Sequence, residues 1–414
     1  MCYGIAEYDT DKLIMYETLK SIPPDPLLKL IDLYRADSNP DKVDLGVGVY
    51  QTEEGITPVL SAIKKAELIR NQTEETKSYF GPAGEPQFGE RMRDLILADS
   101  VGRIGPERVR VLQSPGGSGG LRVAGELLRR AAPEATVWIS TPSWPNHIPL
   151  LSTTGLQIRE YPYYDHDKQT VMVGEMLQHL RDQAKAGDVV LLHGCCHNPT
   201  GADLAAEDWA ALGKLCVEKG LLPFLDVAYH GFAAPISDDL AAARALLETV
   251  PEAVLAYSCS KNFGLYRDRT GALVIIGKDK TTADTAFSNA YNIIRTMYSV
   301  PPHHGAALVG LILADKGLYK EWISELDEMR GRLMANRKLL MEALGQKVAG
   351  RDFGFLQKQN GMFSLLGISK EQAAGLIEDF SIYLPGSGRI NLAGVKRGNV
   401  EYIADSLAKV LAAG

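Results

Sequence analysis

The sequence contains few cysteines, and their arrangement argues against a disulfide framework. The 414 residues include five, at Cys2, Cys195, Cys196, Cys216 and Cys259, and no CxxC pair occurs among them. An odd number with one adjacent pair fits free thiols in a reducing compartment better than paired disulfides. We therefore expect a cytoplasmic protein.

Long apolar runs and an excess of basic residues are also missing. No stretch approaches the roughly 18 apolar residues that a membrane-spanning helix needs. The first twenty residues carry acids early and lack a basic segment followed by an apolar run, so we expect neither a membrane partner nor a signal peptide. The net charge of −7 argues against nucleic acid as a partner.

Short apolar segments alternate with amphipathic stretches along most of the chain. The apolar segments are 109–113, 136–140, 188–192, 221–225, 253–257 and 272–276. Their branched residues are typical of buried strands, whereas 120–131 and 205–219 have helical patterns. The alternation predicts an α/β fold with a mostly parallel sheet covered by helices on both faces. Ligands bind such sheets beyond the carboxyl ends of the strands.

The length and the change of pattern along the chain predict two domains after an N-terminal arm. We expect the arm over residues 1–25 and a large α/β domain over 58–325. From 326 to 414 long charged helices and short apolar segments predict a smaller α+β domain, which residues 26–57 join because a chain can leave a domain and return.

A glycine-rich segment follows the first predicted strand. It reads Ser114-Pro115-Gly116-Gly117-Ser118-Gly119-Gly120 and precedes a helical pattern. Exposed backbone N–H groups and a helix N-terminus suit an anion such as phosphate. Two alternatives are a flexible loop and a nucleophile elbow of the G-x-S-x-G type built on Ser118. The elbow needs an abrupt turn at the strand end, and we expect Ser114 and Pro115 to lengthen the loop instead.

Two further segments at strand ends carry aromatic, histidine and cysteine side chains. Trp144 lies between two prolines in a segment that ends at His147, so it is suited either to stack on a flat heterocycle or to cover the core. In the segment 193–201, the His and Cys residues resemble a zinc site. An extended chain would separate His193 and His197 by about 13 Å at about 3.3 Å per residue, so we expect no metal.

The next two strand ends carry an acid and a lysine. Asp226 finishes a buried strand and needs a cationic partner there, although a helix cap or a structural ion pair would also explain it. Lys261 follows Ser258 and Ser260, and Arg269 lies eight residues beyond it. A lysine in such surroundings can lose its proton and attack a carbonyl. Together with a phosphate-binding loop, a carboxylate and a stacking aromatic, it satisfies the requirements of pyridoxal 5'-phosphate.

These segments make the sequence similar to a known family, the class I, fold-type I aminotransferases of the aspartate and aromatic amino acid type. The resemblance runs from about Asp25 to the C-terminus. It is carried by the segments 44–50, 114–121, 143–147, 193–201, 226–232, 258–271 and 388–391, which occur in the family's order and spacing. The resemblance implies a homodimeric transaminase with pyridoxal 5'-phosphate as cofactor and a large domain with a mostly parallel mixed sheet.

The resemblance also implies roles for residues that bind the cofactor. Lys261 matches the Schiff-base lysine, which becomes the proton-transferring base once substrate has displaced it. Asp226 matches the carboxylate that keeps the pyridine nitrogen protonated, and Tyr229 and Asn198 match the partners of the phenolic oxygen. The remaining matches are Trp144 for stacking, His147 and His193 as support for the aspartate, and Gly117, Ser118, Ser258, Ser260, Arg269 and Tyr79 for the phosphate.

A further set of matches concerns the substrate and the second subunit. Arg389 matches the residue that grips the α-carboxylate, and Gly48, Trp144, Asn198 and Phe363 are also expected to contact substrate. The resemblance implies that Tyr79 and Arg295 reach into the site of the neighbouring subunit, where Arg295 would bind the distal carboxylate of a dicarboxylic substrate.

Several positions depart from the aspartate-specific pattern. Thr141, Ser118, His230 and Val300 stand where Asn, Thr, Gln and Asn are usual, and the segment 259–271 resembles the bacterial aromatic amino acid aminotransferases. We therefore expect transfer from aromatic amino acids and from aspartate or glutamate to a 2-oxo acid such as 2-oxoglutarate. The alternative within the family is an aspartate-specific enzyme.

Two functions outside this family remain open from the residues. One is an α/β hydrolase built on Ser118, for which His303 and His304 are the late candidates for the histidine of the triad. The other is a regulator that keeps an aminotransferase-like domain for sensing. Such a regulator needs an attached DNA-binding module, for which we expect no room in 414 residues.

Overall fold

A computed structural model of the protein describes residues 15–24 and 26–413. Most of the predicted arm, including Cys2, lies outside the described residues. No helix within them is both long and apolar enough to cross a membrane.

Seven strands form a central sheet, and small two-stranded sheets lie outside it. The described strands are β1 (Val43–Asp44), β2 (Val109–Pro115), β3 (Thr136–Thr141), β4 (Gln157–Pro162), β5 (Tyr164–Asp165), β6 (Thr170–Val171), β7 (Val189–His193), β8 (Leu222–Val227), β9 (Ala253–Ser258), β10 (Thr270–Ile276), β11 (Phe363–Leu365), β12 (Ile382–Tyr383) and β13 (Arg389–Asn391). The six predicted strands are confirmed, each within two residues of its expected ends.

The central sheet has the strand order β2-β10-β9-β8-β7-β3-β4. The pairs from β9 through β8, β7 and β3 to β4 are parallel, whereas β10 is antiparallel to both β2 and β9. This arrangement confirms the predicted α/β fold with a mostly parallel mixed sheet. Strand β4 was missed because its edge position leaves polar side chains such as Arg159 and Glu160 open to solvent, so the strand lacks a continuous apolar run.

Helices cover both faces of the sheet. The described α-helices are α1 (Pro26–Ala36), α2 (Ser61–Thr73), α3 (Pro86–Leu97), α4 (Ser100–Ile104), α5 (Gly116–Ala131), α6 (His147–Ser152), α7 (Val173–Gln183), α8 (Ala206–Lys219), α9 (Ala241–Thr249), α10 (Lys280–Met297), α11 (His304–Ala314), α12 (Lys316–Lys347), α13 (Phe355–Lys358), α14 (Lys370–Phe380) and α15 (Val400–Ala413). Three short 3-10 helices cover Met15–Thr18, Pro106–Arg108 and Leu392–Gly394.

Alternate residues of the central strands pack into two separate apolar cores. In β9, Val254 and Ala256 belong to the core beneath α5 and α10, whereas Leu255 and Tyr257 belong to the larger core on the opposite face. Successive side chains of a strand point to opposite faces, so a strand covered on both sides must be apolar throughout. This double burial explains why the central strands stand out in the sequence.

The remaining strands connect distant parts of the chain. Strand β1 pairs in parallel with β12, and β11 pairs with β13 in antiparallel fashion. The pairing of β1 with β12 brings residues 43–44 beside the C-terminal part of the chain. The expected boundary between 325 and 326 falls inside α12, which is one continuous helix. The division into domains stays a prediction.

Candidate active site

A cavity of about 340 Å³ lies at the carboxyl ends of the parallel strands, where sheets of this class bind ligands. Of the seventeen predicted site residues, fourteen line it. They are Gly48, Gly117, Ser118, Trp144, His193, Asn198, Asp226, Tyr229, Ser258, Ser260, Lys261, Arg269, Phe363 and Arg389. The structure thus brings together residues that are more than 300 positions apart in the sequence.

Lys261 follows β9 and projects into this cavity. Its Nζ lies 4.8 Å from the ring centroid of Tyr229. Burial lowers the pKa of Lys261 to about 8; the charge of Asp226 opposes this shift, whereas Arg269 and Arg389 add to it. A larger fraction of the amine is therefore unprotonated near neutral pH than in an ordinary surface lysine, which makes Lys261 a suitable nucleophile and base.

Asp226, near the end of β8, lies beside the buried ring of His147. The distance from Oδ2 of Asp226 to Nε2 of His147 is 2.9 Å. Burial alone would raise the pKa of Asp226, but the hydrogen bond from His147 and the electrostatic effects of His147, His193 and Lys261 together hold it below its usual value. The carboxylate therefore stays ionised and can bind a cationic N–H group in the cavity.

A chain of hydrogen bonds fixes the rings behind this carboxylate. The backbone N–H of Asn198 donates to Nδ1 of His193 over 3.0 Å, and burial lowers the pKa of His193 to about 3, so its ring is neutral. Its proton is therefore on Nε2, which faces Oγ of Ser143 at 3.4 Å. Ser143 Oγ lies 2.9 Å from Nδ1 of His147. Because Nδ1 of His147 accepts the hydrogen bond from Ser143, the proton of the His147 ring is on Nε2, which donates to Asp226.

Backbone N–H groups, hydroxyls and a guanidinium form a cradle at the other end of the cavity. Arg269 Nη1 donates to Ser260 Oγ over 3.2 Å, and Ser258 Oγ donates to Ser260 Oγ over 3.1 Å. Helix α5 begins at Gly116 beside them, and a Cβ at Gly116 would lie 2.5 Å from Arg269 Nη2. The positive φ of 71° at Gly116 also favours glycine at this position. The helix N-terminus and the guanidinium together suit a phosphate group.

The opposite wall holds Arg389, which is 6% exposed. Its Nη2 donates to the Gly46 carbonyl over 2.7 Å and its Nη1 to Asn198 Oδ1 over 3.4 Å, while Nε has no partner. The ring of Phe363 lies 4.2 Å from the guanidinium carbon. A buried cation with an unused donor is suited to a carboxylate ligand.

Tyr229 lines the cavity beside Lys261 and Phe363. Burial raises its pKa strongly, although the charge of Arg389 acts in the opposite direction. The phenol therefore stays protonated and can donate a hydrogen bond. Trp144 also lines the cavity, with its ring 5.1 Å from that of His147 in an edge-on arrangement.

Three predicted site residues do not line the cavity. His147 acts on it through Asp226, as described above. Tyr79 is 91% exposed, and Arg295 is exposed and donates from Nη1 to Oγ of Ser299. The structure of one chain therefore does not bring Tyr79 and Arg295 to the other site residues.

The expected loop after the first strand is wrong. Strand β2 continues to Pro115 and α5 begins at the next residue, Gly116, because the glycines form the first turn of the helix. The abrupt turn removes our geometric objection to a nucleophile elbow at Ser118. The two candidate histidines nevertheless lie elsewhere: His303 stacks on Phe80, and His304 faces Glu67. Neither borders the cavity, so the hydrolase alternative is not supported.

The expected separation of His193 and His197 is also wrong. The chain turns sharply after β7, and the two rings stack with their centroids 4.1 Å apart. Both nitrogens of His197 already face hydroxyls, Nε2 at 3.0 Å from Ser140 Oγ and Nδ1 at 2.9 Å from Thr200 Oγ1. These contacts, rather than distance, argue against a shared metal.

Another group with the residue types of a metal site is formed by Cys195, Cys196 and Asp239, whose ligand atoms lie within 4.8 Å of one another. Both carboxylate oxygens of Asp239 already accept backbone N–H groups from the segment 231–234. Burial raises the pKa of the Cys196 thiol to about 12, so the proton is retained. The carboxylate of Asp239 therefore stabilises a turn, and the protonated thiol is not a metal ligand, so the group does not have the properties of a cation site.

Sequence reasoning missed several residues of the cavity wall. Tyr266 lies in the same segment as Lys261 and Arg269, and its hydroxyl accepts the backbone N–H of Tyr50 over 2.9 Å. Its position within the segment 258–271, which carries the family resemblance, could have identified it as a site residue. Leu27 and Ile31 of α1 also line the cavity, but an ordinary amphipathic helix gave no indication of this.

Comparisons with known proteins agree with this geometry. The family model for aminotransferase class I and II matches residues 40–407. An aspartate aminotransferase of Escherichia coli K12 is 45% identical over 397 residues, which cover 96% of this chain and 100% of that protein. An aromatic-amino-acid aminotransferase of Paracoccus denitrificans is 40% identical over 396 residues, with the same coverage of both chains.

A solved structure is similar over the same extent. The aromatic-amino-acid aminotransferase of Burkholderia pseudomallei, covalently bound to pyridoxal phosphate, matches with a TM-score of 0.93 and 39% identity. The match covers 96% of this chain and 100% of that one.

Proposed function

The chain belongs to the class I and II aminotransferases, and we propose that it moves the α-amino group of aromatic amino acids, L-aspartate and L-glutamate to a 2-oxo acid such as 2-oxoglutarate. The single observation that best supports this function is the pairing of Lys261 and Asp226 in one cavity. An amine of lowered pKa and an ionised carboxylate face that cavity, with an anion cradle at one end and a buried arginine at the other.

The residues present fit pyridoxal 5'-phosphate. The cradle of Gly117, Ser118, Ser258, Ser260 and Arg269 would hold its phosphate, since a Cβ at Gly116 would fill the space beside Arg269. Asp226 would bind the pyridinium N–H, while Tyr229 and Asn198 would hydrogen-bond the phenolic oxygen. When bound, the cofactor supplies an aldehyde that accepts the amino group and a ring that stores the electron pair released at the substrate Cα.

The protein side of the reaction then consists of binding and proton transfer. Arg389 grips the α-carboxylate through its free Nε and orients the Cα–H bond toward Lys261. The amine of Lys261 removes this proton from Cα and would return it to the carbon of the cofactor's aldehyde group. Its pKa of about 8 suits a base working near neutral pH. Asp226 keeps its negative charge throughout, because His147 donates a hydrogen bond to it.

We further propose that the active unit is a cytoplasmic homodimer with two shared sites. The exposure of Tyr79 and the position of Arg295 outside the cavity support this assembly, since a two-fold partner would carry both donors reciprocally. Each would then complete the other subunit's site, Tyr79 at the phosphate and Arg295 at the distal carboxylate. Free thiols at all four described cysteines support a reducing compartment.

Borohydride reduction of the purified holoenzyme tests the proposal. Reduction should fix the cofactor to one peptide, the one that contains Lys261, and should abolish transfer from aspartate to 2-oxoglutarate. Lys261→Ala should bind cofactor weakly and lose nearly all turnover, whereas the surface variant Lys214→Ala serves as the control. Labelling of a different lysine would refute the assignment.

A further inference from the structure

Arg337, in α12, is a buried cation whose hydrogen-bond partners are all neutral. It is 3% exposed, and no described carboxylate forms a salt bridge with it. Nη1 donates to Leu356 O over 3.2 Å and Ser364 Oγ over 2.6 Å, and Nη2 donates to Asn360 O, Gly361 O and Phe363 O over 2.8, 3.0 and 2.7 Å. Burial lowers the pKa of Arg337 to about 10, so the side chain is still cationic at neutral pH.

The oxygens that Arg337 binds belong mainly to the Phe363 segment (residues 360–364), which packs against the segment that carries Asn198. The backbone N–H of Asn360 donates to the Gly201 carbonyl over 2.7 Å. A Cβ at Gly201 would lie only 2.4 Å from Phe363 O and 3.2 Å from Arg337 Nη2. Arg337 therefore lies where two walls of the active-site cavity meet.

The same segment determines the surroundings of Arg389. Strand β11 pairs with β13 in a register that opposes Leu365 to Arg389, and the ring of Phe363 lies 4.2 Å from the Arg389 guanidinium carbon. Asn198, on the adjoining segment, accepts from Arg389 Nη1. A shift of the Phe363 segment would move two of the groups that orient Arg389.

We propose that Arg337 is a positioning residue for the substrate-carboxylate site, which it controls by holding the Phe363 segment against Gly201. The inference rests on the proposed function. Arg337 does not line the cavity and acts through Phe363 and Asn198. A planar guanidinium has five donors directed along fixed axes, so it can bind several carbonyls at once, whereas a lysine ammonium has three donors and no such fork.

The test compares Arg337→Gln and Arg337→Lys with the wild-type holoenzyme. We expect KM for the amino donor and Kd for succinate, a dicarboxylate without an amino group, to rise about tenfold in Arg337→Gln, with a smaller change in kcat. Arg337→Lys should be intermediate. The amount of bound cofactor, measured by its absorbance, should stay at the wild-type level, because the phosphate cradle and Asp226 are not touched.

Arg330→Gln is the matched control. Arg330 also lies on α12 and donates to backbone carbonyls, those of Gly231 and Ala234, but it does not contact the Phe363 segment. Its variant should keep the wild-type KM even if its melting temperature falls. The double variant of Arg337→Gln with Phe363→Leu should show less than the product of the two single effects on KM.

Two results would overturn the inference. One is a lower melting temperature with unchanged KM and Kd in the Arg337 variants, which would make the residue merely structural. The other is a double variant whose effect on KM equals the product of the two single effects, which would show that Arg337 and Phe363 act independently. If Arg337→Gln does not fold, unchanged KM and Kd in Arg337→Lys contradict the proposal by themselves. A wild-type protein without any amino transfer would instead refute the proposed function, whereas the succinate measurements address Arg337 directly.

Discussion

Nε2 of His147 lies 2.9 Å from Oδ2 of Asp226, and the side chain of His147 is fully buried. This pair explains how a carboxylate deep in the protein keeps its charge. Burial pushes the pKa of Asp226 upward, but the hydrogen bond from His147 and the electrostatic effects of the nearby groups together outweigh it. Ser143 and His193 fix the ring that donates the bond, so the charge of Asp226 depends on residues from three strand ends.

Removal of the His147 ring should make the negative charge of Asp226 less stable and so lower the activity. We expect His147→Ala to lower kcat/KM by about 10- to 100-fold, the effect of losing a hydrogen bond worth about 1.5–3 kcal/mol to a charged group. The pKa of Asp226 should rise in this variant, so the acid limb of the kcat/KM profile should move to higher pH. His179→Ala, which removes a histidine away from Asp226, should leave the profile unchanged.

The lowered pKa of Lys261 predicts how reconstitution depends on pH. Only the unprotonated amine attacks the cofactor aldehyde, so the rate at which apoenzyme binds pyridoxal 5'-phosphate should rise through pH 8 and level off above about pH 9. A lysine of ordinary pKa, about 10.4, would still gain about tenfold per pH unit there. Stopped-flow absorbance measures this rate, and a continued rise between pH 9 and 10 would contradict the lowered pKa.

The central sheet could be predicted from the sequence because its strands are buried on both faces. A run such as Ala253–Ser258 has no exposed side to interrupt it, and the polar residues that follow each run mark the carboxyl ends of the strands. The edge strand β4 lacks this signal. The glycine-rich segment was misjudged because glycine favours loops by propensity, whereas packing of α5 on β9 and β10 places these glycines in a helix.

The groups that orient the site were harder to predict than the groups that line it. Arg337 lies within a helix rich in charged residues, where an arginine is usually exposed, and only the fold shows that this one is buried. The stacking of His193 on His197 depends on a turn in which Cys196 adopts a positive φ of 52°. Pattern and spacing contain no information on such a turn.

Mixing of inactive variants tests the shared sites. In a heterodimer of Lys261→Ala and Arg295→Ala, the two changes fall on the same site only if each site takes Lys261 from one subunit and Arg295 from the other. In a homodimer with reciprocal donation, a heterodimer of the two variants has one site with both residues intact, so activity toward aspartate should return to about a quarter of the wild-type value in an equal mixture that has exchanged subunits fully.

Lys261→Ala with Arg389→Ala is the control for that experiment. We place both residues in one subunit's site, so their heterodimer should have one impaired residue at each site and little activity. Native mass spectrometry establishes that heterodimers have formed. Heterodimers of the first pair without recovered activity would refute the shared arrangement.

Arg295 should matter for dicarboxylic substrates only. Arg295→Leu should lower kcat/KM for aspartate by about a hundredfold or more, since a charged partner of the distal carboxylate is lost, and should leave phenylalanine nearly unchanged. The Arg295 side chain is held by Ser299 in the free chain. Ser299→Ala should therefore favour aromatic donors slightly, by releasing the arginine from this contact. Equal losses for both substrates in Arg295→Leu would contradict a selective role.

The most direct test of the proposed function is kcat/KM for aspartate, tyrosine and phenylalanine, each measured with 2-oxoglutarate. The account predicts turnover of all three, because Arg389 binds the carboxylate common to them and Arg295 serves the dicarboxylic donor. Aromatic values should lie within ~1,000-fold of the aspartate value. A gap of ~1,000-fold or more, about 4 kcal/mol in transition-state free energy, would contradict dual specificity and identify an aspartate-specific enzyme.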